Sequence, residues 1–203
     1  MLVFYKPRLV FLSIPKTGTT AYEKAYSVVA DHVISNPPAL KHAPLYRYNR
    51  FIRPMYEKVC GTELQVMAVV REPISWLGSW YRYRQRPSMR GDPKATFDVS
   101  FDEFVMAYSK GKPPPFADVG SQARFLAPQA NGTRVTYLFA YENQALIQAF
   151  LKDRVGVLPD IGRENTSPEM ALSLSKEVED RLRRKCAAEF ELYDSVRPKG
   201  LSV

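Results

Sequence analysis

The chain has 203 residues, 45% of them hydrophobic, and carries 29 Lys and Arg against 21 Asp and Glu, a formal net charge of +8. This length and composition predict one globular domain over residues 1–203 and exclude an intrinsically disordered chain. The sequence contains no run of about 18 apolar residues and no signal-peptide segment at its start, so we expect a cytoplasmic protein without a membrane span. The positive charge favours an anionic partner, and the absence of any nucleic-acid-binding motif argues against nucleic acid.

The first distinctive feature is a polar turn that follows an apolar strand predicted over residues 9–12. The turn leads into a helix predicted over 18–31 and reads Ser13-Ile14-Pro15-Lys16-Thr17-Gly18-Thr19-Thr20. Such a turn suits a phosphate group, because N–H groups at a helix start point at the anion and Gly18 lets the backbone approach closely. Lys16 adds a positive charge, and the threonine hydroxyls add donors. Lys16 precedes the glycine, whereas the lysine of a nucleoside-triphosphate P-loop follows its second glycine.

The P-K-T-G-T-T motif resembles the 5′-phosphosulfate-binding loop of sulfotransferases that use 3′-phosphoadenosine 5′-phosphosulfate (PAPS). The resemblance is closest to bacterial and carbohydrate sulfotransferases. It implies the P-loop-like sulfotransferase fold, a three-layer α/β/α arrangement with a central, mainly parallel sheet. It also implies that PAPS is bound by the loop, at the residues Pro15, Lys16, Thr17, Gly18, Thr19 and Thr20.

A second phosphate-binding element is predicted downstream, where a buried strand over residues 64–70 precedes a helix over 74–86. The intervening residues are Arg71, Glu72 and Pro73, and proline suits the first turn of a helix. Arg71 and Ser79 have the separation of the arginine and serine that hold the 3′-phosphate in the same family. An arginine fork can bind a phosphate through two N–H groups while a hydroxyl donates from another side. The alternatives are that Arg71 pairs with Glu72 and that Ser79 is an ordinary helix residue.

The remaining segments predict the scaffold. Helices are expected over 50–59, 100–109, 121–126, 143–155 and 176–193, and a third strand over 134–140. Ser100 and Glu103 form a capping box, and the proline-rich segment 111–115 is expected to be a surface loop. Strands that alternate with helices predict a parallel sheet covered on both faces, with ligands at the carboxyl ends of its strands.

Two carboxyl-terminal segments complete the comparison with the family. Residues 163–168, Arg-Glu-Asn-Thr-Ser-Pro, resemble an N-x-S-P turn near the nucleotide in carbohydrate and bacterial sulfotransferases. Residues 197–200, Arg-Pro-Lys-Gly, lie too close to the end of the chain for us to assign them the nucleotide contact of the R-K-G loop of cytosolic sulfotransferases.

The chemistry implied is in-line sulfuryl transfer, which depends on positioning and on stabilising the charge of the leaving oxygen. Lys16 is the candidate for that oxygen. Of the two histidines, His42 lies between the phosphate elements, where several carbohydrate sulfotransferases place their catalytic base, and we predict that role for it. The alternative is an exposed loop histidine, with Glu72 or Asp102 as the base. His32 is expected to end the first helix.

The predicted function is therefore transfer of a sulfuryl group from PAPS to a hydroxyl acceptor, a carbohydrate or small metabolite, without a metal ion. The alternatives are a P-loop kinase or other nucleotide phosphotransferase, and a binding protein that retains the nucleotide fold without catalysis. A cluster of arginines either extends the positive field towards an acidic acceptor or forms a solvated helix end; its members are Arg82, Arg84, Arg86 and Arg90. Trp76 and Trp80 are predicted to pack in the core, and Cys60 and Cys186 to be buried free thiols.

Overall fold

The computed structural model describes residues 1–162 and 170–196 and contains one five-stranded sheet. The strands are β1 (Leu2–Phe4), β2 (Leu9–Phe11), β3 (His32–Val33), β4 (Gln65–Val70) and β5 (Tyr137–Ala140). Their order across the sheet is β3-β1-β2-β4-β5. The helices are α1 (Thr19–Tyr26), α2 (Pro38–Lys41), α3 (Leu45–Arg47), a π-helical segment (Tyr48–Ile52), α4 (Arg53–Cys60), α5 (Pro73–Tyr83), a 3₁₀ turn (Pro87–Met89), α6 (Phe101–Tyr108), α7 (Gln122–Phe125), α8 (Gln144–Val155), α9 (Lys176–Lys185) and α10 (Ala187–Asp194).

The sheet is open and mixed, with three parallel strands and one antiparallel strand, β1, between β2 and β3. Strands β2, β4 and β5 run parallel. Met67 of β4 pairs with Phe11 of β2 on one side and with Tyr137 of β5 on the other. Strand β1 is antiparallel to both β2 and β3. The sequence predicted the three parallel strands but neither β1 nor β3, because both are very short and depend on pairing with neighbours. The α/β class is confirmed, and the parallel strands place three carboxyl ends at one edge.

Helices cover both faces of the sheet, because apolar side chains alternate in direction along each strand. Phe11, Met67 and Phe139 point to the face covered by α1 and α8, where they join one buried cluster. Val10 and Val66 point to the opposite face, which is covered by residues of α3, α4, α7 and α10. A third cluster joins α5, α6, α9 and α10 beside the sheet.

Local sequence signals fix several helix ends. The Ser100 capping box is present as predicted, with Ser100 and Glu103 bonded reciprocally at the start of α6. Gly156 ends α8 in the left-handed conformation, with φ +82°. Glu72 caps α5 by accepting a hydrogen bond from the Ser75 N–H at 2.6 Å, and Pro73 occupies the first turn.

The structure corrects three expectations. The helix predicted over 176–193 is two helices, which separate at Cys186, and the break turns the Glu189 carboxylate towards the start of α7. His32 does not end a helix but lies on the edge strand β3, beside the Tyr56 hydroxyl. Both cysteines are free, but Cys60 is exposed and Cys186 is half-buried.

Candidate functional site

The predicted phosphate loop and Arg71 lie at the same edge of the sheet. Strand β2 ends at Phe11 and runs through the loop into α1, while Arg71 directly follows β4, the parallel neighbour of β2. The Leu12 N–H donates to the Met67 carbonyl at 2.9 Å, which holds the start of the loop against β4. The two phosphate elements predicted from the sequence are therefore neighbours at the carboxyl ends of adjacent parallel strands, the usual position of ligands in such sheets.

Hydrogen bonds within the loop fix its shape. The buried Thr17 hydroxyl donates to the Ile14 carbonyl at 2.9 Å, and the Thr19 hydroxyl lies 3.4 Å from the same oxygen. The indole N–H of Trp76 donates to the Pro15 carbonyl at 2.9 Å. The Thr17 and Thr19 hydroxyl protons therefore stabilise the turn itself. Trp76 packs in the core as predicted and also secures the loop.

Thr20 lies in the first turn of α1 and has a different partner. Its hydroxyl oxygen accepts a hydrogen bond from Lys41 Nζ at 3.4 Å, and the same ammonium forms an ion pair of 3.0 Å with Glu23. Thr20 and Glu23 thus connect α1 to the segment that carries His42.

The start of α1 is suited to an anion. Gly18 is its N-cap with φ +72°, and in the described structure no side chain caps this end and its first turn holds no acidic residue. The partial positive charge of the helix start therefore faces the loop uncompensated by a side chain. A Cβ atom built on Gly18 would lie 2.8 Å from Cε2 of Tyr141, so glycine is required both for its conformation and for the space.

Lys16 lies among other cations. Burial, together with the nearby charges of Arg86, Arg71 and Arg82, lowers its pKa to about 8. Its ammonium lies 4.5 Å from the ring centre of Tyr83, which provides a cation–π contact. Lys16 itself has φ +67°, a conformation that is uncommon for a residue other than glycine. A bound phosphate group would be attracted by this group of cations.

Arg71 is held on three sides. Its backbone N–H donates to Gln122 Oε1 and its carbonyl accepts from Gln122 Nε2, both at 2.9 Å. Its Nε donates to the Ser75 hydroxyl at 2.9 Å, and its guanidinium carbon lies 4.6 Å from the ring centre of Tyr141. The alternative that Arg71 pairs with Glu72 does not appear among the described contacts. The Glu72 carboxylate caps α5, and Arg71 contacts Ser75, Gln122 and Tyr141.

Ser79 is buried on α5, four residues after Ser75. Residues at this spacing share a helix face, so Ser79 lies one turn further along the face that Arg71 contacts. Arg71 and Ser79 therefore lie along one side of α5, with Ser75 between them. Ser75 was not singled out in the sequence, although it lies four residues from each predicted partner.

His42 lies against the phosphate loop. Its Nδ1 is 2.7 Å from the Ser13 carbonyl oxygen, and because a carbonyl can only accept, Nδ1 carries the proton. In the neutral ring Nε2 is then the acceptor, as a general base requires. Burial lowers the pKa of His42, opposed by this hydrogen bond and aided by the nearby charge of Lys41, so the ring is neutral at pH 7. The alternative of an exposed loop histidine does not apply.

The two acidic residues considered as alternative bases have structural contacts. Glu72 caps α5 through the Ser75 N–H. Asp102 accepts a hydrogen bond from the Ser175 N–H at 2.9 Å and so connects α6 to the residue that precedes α9. Among the three candidates, His42 is the one that contacts the loop.

The arginines of α5 and the following turn divide into two groups. Arg84 is buried, and its guanidinium donates to the carbonyls of Pro115, Phe116 and Asp118 at 2.6–2.9 Å. It anchors the proline-rich loop, so it belongs neither to a positive field towards an acceptor nor to a solvated helix end. Arg82 and Arg86 are the members whose charges lower the pKa of Lys16.

Besides Ser75, two residues of the site were missed in the sequence because each comes from a distant segment. Tyr141 follows β5 and touches both Gly18 and Arg71. Gln122 opens α7, whose first turn is capped by the buried Glu189 carboxylate through the N–H groups of Gln122 and Ala123. In the sequence, the one signal for Tyr141 is its position directly after the strand predicted over 134–140, which is β5 in the structure.

A cleft of about 750 Å³ lies at the opposite edge of the sheet, before β2, β4 and β5 begin, lined by Arg8, Gln65, Thr136, Asp153 and Arg154 among others. Its walls carry charges of both signs. At the loop edge, Lys16 lies near the charges of Arg86, Arg71 and Arg82 and beside the start of α1, so we assign the candidate site to the loop edge. Among residues 1–162 and 170–196, no group of three or more His, Cys, Asp or Glu side chains is placed to hold a metal ion.

Comparisons of this chain with protein-family models, with curated proteins and with solved structures found no match. In the described part of the chain, no helix combines the length and the apolar character needed to cross a membrane. The residues 163–168 and 197–200, which the sequence analysis compared with family motifs, lie outside the described residues.

Proposed function

We propose that this protein is a PAPS-dependent sulfotransferase that acts on a hydroxyl group. The observation that carries the proposal is the meeting of two predicted phosphate elements, separate in the sequence, at one edge of the sheet. The loop with Lys16 follows β2, Arg71 follows the adjacent β4, and their charges are close enough for Arg71 to lower the pKa of Lys16. A ligand with two separate phosphate groups, such as the PAPS nucleotide, matches two such elements.

The roles follow from position. The loop and the start of α1 would hold the 5′-phosphosulfate, while Arg71 and the α5 face with Ser75 and Ser79 would hold the 3′-phosphate. Lys16 would stabilise the oxygen that bridges phosphorus and sulfur, where negative charge grows as the bond breaks. Its lowered pKa of about 8 still leaves most of the population charged at pH 7.

The proposed reaction transfers one sulfuryl group. The acceptor hydroxyl oxygen forms a bond to sulfur as the bond from sulfur to the bridging phosphate oxygen breaks. The hydroxyl proton goes to Nε2 of His42, and the products are the sulfate ester and adenosine 3′,5′-bisphosphate. His42 is suited to this step because its Nδ1 proton is held by Ser13 and its ring is neutral at pH 7.

A turnover assay tests the proposal. The purified protein is incubated with PAPS and with pools of sugars, phenols and small alcohols, and the bisphosphate product is measured by chromatography. We expect bisphosphate release that depends on acceptor and persists in a chelator. Release of ADP from ATP with Mg²⁺, without release from PAPS, would instead support a phosphotransferase.

A further inference from the structure

Large hydrophobic side chains are exposed along the segment of residues 40–59. Of the fourteen exposed large hydrophobic residues among those described, five fall within residues 40–59. Three of these are spaced four residues apart through the π-helical segment and α4: Phe51, Met55 and Val59, which are 65%, 43% and 80% exposed. We call these three residues the α4 stripe.

The spacing of the α4 stripe makes it a continuous surface. Residues four apart share a helix face, and eight residues of helix span about 12 Å. Tyr56, on the other side of α4, is buried in the core, so the helix has one face towards the sheet and one towards solvent. Single exposed hydrophobic residues are common on protein surfaces, but a run of three large ones along one helix face is typical of an interaction surface.

Basic residues accompany the stripe. Residues 40–60 contain five Lys and Arg and a single acidic residue, Glu57, which forms an ion pair of 2.5 Å with Arg53. Arg50 and Lys58 are exposed directly beside Phe51 and Val59, and the Arg50 guanidinium lies 5.3 Å from the ring centre of Phe51. An apolar stripe with basic neighbours is complementary to a surface that is apolar beneath and negatively charged on top.

We propose that the α4 stripe docks this protein on an anionic lipid surface. Phe51, Met55 and Val59 would enter the boundary between headgroups and acyl chains, while Arg50 and Lys58 would lie at the lipid phosphates. The proposal does not depend on the proposed sulfotransferase activity.

Vesicle flotation tests the proposal. Wild-type protein is mixed with vesicles of equimolar phosphatidylglycerol and phosphatidylcholine, or of phosphatidylcholine alone. We expect flotation with the anionic vesicles only, and weaker flotation as salt increases. The double variant Phe51→Ser, Val59→Ser is expected to partition about tenfold less, and the double variant Arg50→Ser, Lys58→Ser to lose its preference for anionic vesicles.

A matched control comes from the chain itself. Phe97 is also exposed, at 41%, and the Arg90 guanidinium lies 5.7 Å from its ring, so Phe97→Ser removes a similar cation–π pair outside the stripe. This variant should float like wild type. Equal flotation of the stripe variant and the Phe97→Ser variant would overturn the proposal, as would no flotation of wild type. A wild-type dimer in solution that the stripe variant abolishes would also overturn it, since the stripe would then contact a second copy.

A second measurement keeps the test valid if a stripe variant fails to fold. Cys60 is exposed next to Val59, so an environment-sensitive dye can be attached there in a Cys186→Ser background. Docking predicts a shift of the dye emission to shorter wavelength on anionic vesicles. An unchanged spectrum would contradict docking through this face.

Discussion

Tyr141 packs directly against Gly18, so that a Cβ atom on the glycine would lie 2.8 Å from Tyr141 Cε2. The same ring faces the Arg71 guanidinium at 4.6 Å from ring centre to Cζ. One side chain from the end of β5 thus contacts both predicted phosphate elements, which follow β2 and β4. The positions of the loop and of Arg71 are coupled through this ring.

This contact predicts the effect of Gly18→Ala. Alanine would meet both an unfavourable φ of +72° and the Tyr141 ring, and we expect it to lower the free energy of unfolding by about 3 kcal/mol. Gly61→Ala is the matched control, since Gly61 has φ +59° but no atom within 4 Å of its Cβ position, and should cost about 1 kcal/mol. Urea denaturation measures both. Equal losses would show that the Tyr141 contact contributes nothing.

The lowered pKa of Lys16 predicts that anion binding depends on pH. Its pKa of about 8 means that the ammonium is lost as pH rises above 8, so affinity for adenosine 3′,5′-bisphosphate should fall by up to about tenfold per pH unit there. The phosphates of the ligand are already fully ionised in this range. Lys16→Arg keeps its charge, and its affinity should stay level. A wild-type affinity that does not change between about pH 7.5 and pH 9.5 would contradict the role of Lys16.

The same pKa has an opposite consequence for the stability of the unliganded protein. The folded pKa of Lys16 lies below its unfolded value of 10.5, so the unfolded state binds more protons between about pH 8 and pH 10.5. Lys16 therefore makes stability rise with pH across this window. Thermal unfolding of Lys16→Met should show a smaller rise than wild type, and an identical pH profile of the two proteins would exclude this contribution.

His42 predicts a loss of turnover without a loss of donor binding. His42→Ala should reduce kcat by about 100-fold or more, and the affinity for the bisphosphate should change less than about twofold. Because burial lowers the pKa of His42 below 6.5, the wild-type rate should fall on acidification only below that pH, as the imidazole becomes protonated. His32→Ala is the control, since His32 lies on the exposed edge strand and should keep full activity. Unchanged turnover in His42→Ala would reject the assignment.

We expect the same substitution at Arg84 and at Arg82 to have different effects, on stability in the first case and on ligand binding in the second. Arg84→Met would leave the carbonyls of Pro115, Phe116 and Asp118 without their donor, and should lower the free energy of unfolding by about 3 kcal/mol. Arg82→Met should change stability little and weaken bisphosphate binding, because Arg82 contributes to the field around Lys16. Urea denaturation and calorimetry separate the two effects. A binding defect in folded Arg84→Met as large as that of Arg82→Met would contradict this division.

The parts of the fold that follow from local patterns were predictable from the sequence. Strand β4, the Ser100 capping box and the end of α8 at Gly156 each depend on residues within a few positions of one another. The break at Cys186 was not predictable, because it depends on how Glu189 meets the start of α7, some 67 residues away in the chain. The hairpin of β1 and β2 was missed because Leu2–Phe4 is too short to show a periodic pattern.

The candidate site shows the same division. The loop, Arg71 and His42 could be proposed from residue type, spacing and the resemblance to sulfotransferases, and the structure brings all three to one edge. Gln122 and Tyr141 hold Arg71 from segments 51 and 70 residues further along, and no spacing rule connects them. Arg84 and Arg82 lie two residues apart and are alike in sequence, yet only the packing of the proline-rich loop makes Arg84 structural.

The most direct test of the account is calorimetric binding of adenosine 3′,5′-bisphosphate without added metal, compared with ATP and 5′-AMP. The account predicts binding of the bisphosphate in preference to both, with a large loss of affinity in Arg71→Ala and in Lys16→Ala. It further predicts that the two losses are not additive in the double variant, since both side chains hold one ligand. Preference for ATP that requires Mg²⁺, or bisphosphate binding that Arg71→Ala leaves unchanged, would contradict it.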